Sequence, residues 1–233
     1  MMVSVNSATL QPLEMYVTLN KKGGIGLSNL ASDKLKSLVG RDSGERTYPI
    51  WLLVNPKYPA VVYGIWRHVL DEIQDKVYRE LQTRIDTTNI YIRSAVGDCG
   101  IVPNTLNWWG NEVSAEIKIF RELIIDYKPK MLISFGAFTF EFMRRVSEIK
   151  PEKGPKYWSA TVLNDEFRAS LEKFDVNKTN IIPLLRRVIE SNEFLETQGH
   201  FSQSDSEKYF QYVGAMVAEK IIENRSILKI WIK

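Results

Sequence analysis

The chain of 233 residues holds one cysteine, Cys99, so no disulfide can form within it. It holds two histidines, His68 and His200, and no Cys/His cluster at zinc spacing, so no metal site built on imidazole is expected. No apolar run approaches the roughly 20 residues that a membrane helix needs. The N-terminal "MMVSVNSATLQPLEMYV" lacks a basic segment followed by an apolar core, so no signal peptide is expected. Neither charge dominates: the formal net charge is +3 and the pI about 8.8. That balance permits a nucleic-acid partner without requiring one. Internal repeats and low-complexity tracts are missing. The expectation is a cytoplasmic monomer that forms one α/β domain over 1–233, with 1–47 an extension packed on it.

What is present is an alternation of two hydrophobic periods. "IWLLV" (50–54) reads as a buried strand, and 60–85 carries Val62, Ile65, Trp66, Val69, Ile73, Val77 and Leu81 at helical spacing. "NIYIRSAV" (89–96) reads as a second strand, 111–127 as an amphipathic helix, and "KMLISFG" (130–136) as a third strand. A third helix follows over 137–149, closed by Lys150-Pro151. "NIIPLLRRVI" (180–189) reads as a fourth strand and 206–225 as a last helix. In the polar N-terminal part, "KKGGIG" (21–26) reads as a flexible loop rather than a phosphate loop, and a short helix is expected to end at Gly40. Strands alternating with helices imply a mostly parallel sheet of about four strands with helices on both faces, a three-layer sandwich. Such sheets bind ligands outside the carboxyl ends of their strands. The residues to read are therefore those just after each strand.

Those strand ends carry four short motifs in order: "LLVNPKYP", "IYIRSAVGDCG", "LISFGAF" and "GHFSQSDSEKYF". From about residue 48 to 223 their order resembles the uracil-DNA glycosylase superfamily. The resemblance implies that superfamily's three-layer fold and an enzyme that takes a base out of DNA and cleaves its N-glycosidic bond without a cofactor. On this resemblance Asn55 holds the attacking water and His200 donates to the departing base. As an amide, Asn55 can orient water through its oxygen but cannot act as a general base near neutral pH. Pro56 fixes the turn that presents Asn55. Gly136 and Ala137, heading a helix, are candidates to approach a DNA phosphate through backbone amides, with Ser202 a further phosphate contact.

Three departures shape the expected substrate. Lys57 stands where uracil-specific members carry a tyrosine that blocks C5 substituents. The base-reading residue of the second strand is Ser94, or Arg93 if the register slips by one. In the last loop Phe201 replaces a proline, and Gln203 or Ser204 stands at the apolar wedge position, so Phe201 is the alternative wedge. Together they point away from uracil and toward a bulky 5-substituted pyrimidine, such as the glucosylated hydroxymethylcytosine of phage DNA, and so toward antiviral defence. Tyr63 and Trp66 are candidates to stack on the base, as are Trp108 and Trp109, because neighbouring residues of a loop are not expected to face one core. Asp98, Asn104, Asn107 and Asn111 are candidates for base or sugar edges. Arg144-Arg145, Arg186-Arg187, Lys153 and Lys156 are candidates for phosphate. His68 reads as a partly buried packing residue. The alternatives are a binding module on the same scaffold, taking DNA or a nucleotide without catalysis, and an unrelated α/β hydrolase. The latter would want a carboxylate cluster at the strand ends, where only Asp98 lies.

Overall fold

Five successive apolar residues, Ile50–Val54, form β1, and all five are buried. A strand buried on both faces belongs at the centre of a covered sheet. The computed structural model, which describes residues 42–96, 108–154, 156–186 and 206–232, puts it there. β2 is Tyr91–Ser94, β3 Met131–Phe135 and β4 Asn180–Leu184, and the order across the sheet is β2-β1-β3-β4 with every pairing parallel. β3 is buried throughout like β1, whereas the edge strands β2 and β4 are partly open. Pro183, which has no N–H to give a further strand, sits in edge strand β4.

Helices cover both faces. On one side α1 (Arg67–Leu81), α4 (Ala160–Glu172) and α5 (Ser206–Glu223) share a core with Leu52, Ile133 and Ile182. Val69, Ile73 and Val77 of α1 are spaced by four residues and are buried with Val213, Val217 and Ile221 of α5. Gly214 lets the two helices close, since a Cβ there would lie 2.7 Å from that of Glu72. On the other side α2 (Asn111–Tyr127) and α3 (Gly136–Val146) pack Val113, Phe120, Phe138 and Phe142 against Trp51, Leu53 and Leu132. All described residues fall in one compact unit, Val39–Lys233. Of the expected N-terminal extension, 42–47 is described and runs along the β2 edge, where Ser43 bridges Ile92 antiparallel.

The first helix differs most from its expected span of 60–85. It opens with a five-residue π-helical turn, Val62–Trp66, and ends at Leu81, with Gln82 in the left-handed region at φ 53°. The side-chain amide of Gln74 stops it: Oε1 accepts the Ile85 N–H at 2.9 Å and Nε2 donates to the Ile85 carbonyl at 2.8 Å. Ile85 is thereby held extended and bridges Trp231. Helix α4 had no counterpart in the sequence reading. Its signals were there: Ser159 as N-cap, accepting the Val162 N–H at 3.2 Å, and Leu163, Phe167 and Leu171 spaced by four.

Candidate functional site

The chain leaves β1 for β2 on one side and returns to β3 on the other, so the sheet's switch point lies between the carboxyl ends of β1 and β3. Open parallel sheets bind ligands at such a point. Asn55 follows β1 directly and is 5% exposed. Its Oδ1 accepts the Lys57 N–H at 2.9 Å and its carbonyl accepts the Tyr58 N–H at 2.8 Å. This is an Asx turn closed around Pro56, so the amide is fixed in place.

A cavity of about 570 Å³ begins two residues on, lined by Lys57, Tyr58, Val61, Ile65 and Arg186 among others. Lys57 is exposed, with Nζ 5.8 Å from the centroid of the Tyr58 ring. Arg186 comes from the carboxyl end of β4, and its guanidinium carbon lies 3.7 Å from the same centroid. Two neighbours fix its position. Gly136, the first residue after β3, has φ +83°, and a Cβ there would lie 2.9 Å from the Arg186 Cβ. The Tyr209 hydroxyl of α5 accepts the Leu185 N–H at 2.9 Å, one residue before Arg186. Burial pushes the Tyr209 phenol above its usual range, so it stays neutral.

The remaining candidates divide by environment. Ser94 is buried at the end of β2, paired in register with Val54, and so lies beside the Asn55 strand end. Arg93 points instead to Glu116 at 2.9 Å and Asp42 at 3.7 Å. Tyr63, on the π turn, is 71% exposed, whereas Trp66 is a core residue. The two tryptophans do face one cluster, against expectation. They meet edge to face, 5.7 Å apart at 82°, and both pack on Phe138. Trp109 also lies under Arg145, 3.7 Å from the ring centroid, and its indole N–H is buried with no partner among the described residues. Ala137 is half-buried beside Gly136. Asn111 is exposed at the start of α2, and Lys153 lies over Tyr157 at 4.1 Å. His68 is exposed rather than partly buried and stacks on Phe210 at 5.0 Å. Asp98, Asn104, Asn107, Arg187, His200, Phe201, Ser202, Gln203 and Ser204 lie outside the described residues.

The sequence reading missed Tyr58 and the pairing of Arg186 with it. Tyr58 lies within the quoted "NPKYP", but nothing local shows that a residue from beyond β4 covers its ring. Among the described residues no group of three or more His, Cys, Asp or Glu could hold a metal ion, and no helix is long and apolar enough to cross a membrane. The chain matches no protein-family model, and no curated protein matches it.

Proposed function

We propose that this protein is a monofunctional DNA glycosylase acting on a modified pyrimidine held outside the base stack. The observation that carries the reading is the setting of Asn55, a buried and fixed amide at the switch point with an open cavity two residues away. Oδ1 spends one lone pair on the Lys57 N–H and keeps a second, which suits it to hold a water. In the reaction the water oxygen bonds to C1′, the C1′–N bond breaks, and the base leaves with the electron pair. An amide takes no proton, so the water's proton passes to solvent or to the base. Rate then comes from positioning and from stabilising the anionic base, the role that the resemblance gives to His200. Lys57, exposed at the cavity rim, leaves room for a substituent on the pyrimidine C5.

A second reading, a binding module without catalysis, draws on the same hydrogen bond, because the Asx turn alone accounts for an asparagine before Pro56. One assay separates the two. Duplex DNA carrying uracil, 5-hydroxymethylcytosine or its glucosylated form is incubated with the protein, and abasic sites are cleaved with alkali. Under the glycosylase reading, strand breaks appear, fall about a hundredfold in Asn55→Ala, and persist in Asn55→Asp, which keeps the turn oxygen. Salt-sensitive DNA binding with no breaks supports the binding module. Neither breaks nor binding at low salt overturns both.

A further inference from the structure

Among the described residues the cavity is lined by two cations and by apolar side chains, and by no carboxylate. Its two cations, Lys57 and Arg186, come from the carboxyl ends of β1 and β4, which flank β3. Among the described residues neither side chain has a carboxylate partner or gives a hydrogen bond to an acceptor. Both lie over the ring of Tyr58. That ring holds the Arg186 charge in place without using its N–H groups, which are the groups that grip phosphate oxygens. Gly136 and Tyr209 pack on and bond the backbone around Arg186, while the Tyr58 ring lies against its guanidinium. Pro59, Val61 and Ile65 line the same cavity and add apolar surface to it, and 570 Å³ falls within the range of small-molecule sites. Cations and apolar side chains in one cavity call for an organic phosphate rather than a bare ion.

The geometry points to a phosphate site: Lys57 and Arg186 take the phosphate of a nucleotide unit, free or within a strand, and the Pro59–Ile65 wall takes its sugar or base. The site stands on these contacts alone and does not need a bond to be cleaved at Asn55.

Calorimetry on the full chain tests it with deoxycytidine, deoxycytidine 5′-monophosphate and a short oligo-dC strand. The monophosphate or the strand is expected to bind at least tenfold more tightly than the nucleoside. Lys57→Gln and Arg186→Gln each remove about tenfold of that gain. The control Lys173→Gln, which follows α4 at the amino end of the sheet, changes nothing. A gain for the monophosphate identifies a free nucleotide as the ligand. A gain confined to the strand, with its salt slope reduced by about one per lost cation, identifies a backbone phosphate. Lys57 is exposed, so its variant keeps the test valid if Arg186→Gln fails to fold. The assignment is overturned if neither phosphate ligand outbinds the nucleoside, or if both variants bind as the wild type does. No cleavage is read, so the result is separate from that of the alkali assay.

Discussion

Arg145 and Arg186 each hold a guanidinium 3.7 Å from the centroid of an aromatic ring, Trp109 in one case and Tyr58 in the other. Their counter-charges differ. Around α3 the fully buried Glu141 accepts from Arg144 at 2.9 Å, Arg145 at 3.2 Å, the Trp158 indole at 3.0 Å and the Lys153 backbone N–H at 2.8 Å. Arg145 also reaches Glu152 at 2.8 Å, and Arg144 donates to the Pro151 carbonyl at 3.1 Å. These bonds tie the loop after α3 back onto the helix, and a carboxylate meets the charge of each guanidinium. At the end of β4 the same kind of cation–ring contact has no carboxylate beside it among the described residues. A cation on an aromatic face is thus a fastening where a buried acid completes it, and a candidate receptor where none does.

The strongest way to break this contrast is to remove the acid. Glu141→Ala leaves two largely buried guanidiniums, an indole N–H and a backbone N–H without their common acceptor. Such a loss costs about 3–5 kcal/mol, to be read from urea denaturation. Phosphate affinity should stay unchanged wherever the variant is folded. A loss under about 1 kcal/mol would mean that the arginines are solvated surface charges after all, and the contrast would fail.

Gly136→Ala comes next, because it strikes the other region through the backbone. Its φ of +83° costs a residue with a Cβ about 1–2 kcal/mol, and the new methyl meets the Arg186 stem. Stability and nucleotide affinity should fall together in this variant. Lost stability with undiminished affinity would show that Arg186 need not sit where it does.

How far these regions can be read in the sequence follows from how local their causes are. The strands and most helices announce themselves by period, since burial of one face is written into consecutive residues. The end of α1 is not local, because Gln74 halts the helix by binding a residue eleven positions on. The two Arg-Arg pairs look equivalent as sequence, and both invited a phosphate reading. Glu141 lies within one turn of Arg144 and Arg145, so their pairing could have been read from helical spacing. The meeting of Arg186 with Tyr58 depends on strand order and had no sequence signal. Asn55 was legible as a strand end, and the structure adds the bond that fixes it.

Acid offers a smaller and more selective probe. The Glu152 carboxyl is held below its ordinary range, first by the Lys150 hydrogen bond and then by the Arg145 charge. A depressed folded-state pKa means that the stabilisation is complete above about pH 4.3 and is lost as pH falls through the folded value. The stability gap between wild type and Glu152→Gln should therefore close on acidification below that point. A gap that stays constant with pH would remove Glu152 from the α3 network. Among the described residues the cavity has no carboxylate to titrate, so its nucleotide affinity should follow the ionisation of the ligand rather than of the lining.

The smallest expected effect is the most discriminating. Lys57 is exposed and makes no ion pair among the described residues, so Lys57→Gln should change unfolding free energy by no more than about 0.5 kcal/mol. A cation fastened like Arg144 could not be neutralised so cheaply. The same substitution should cost about tenfold in phosphate affinity. Near-neutral stability with lost binding is the pattern of a charge kept for a ligand, because the folded chain alone gains nothing from it. If denaturation instead shows a loss above 1 kcal/mol, Lys57 has a structural partner, and the cavity at the end of β1 is closer in kind to the Glu141 network than its open wall suggests.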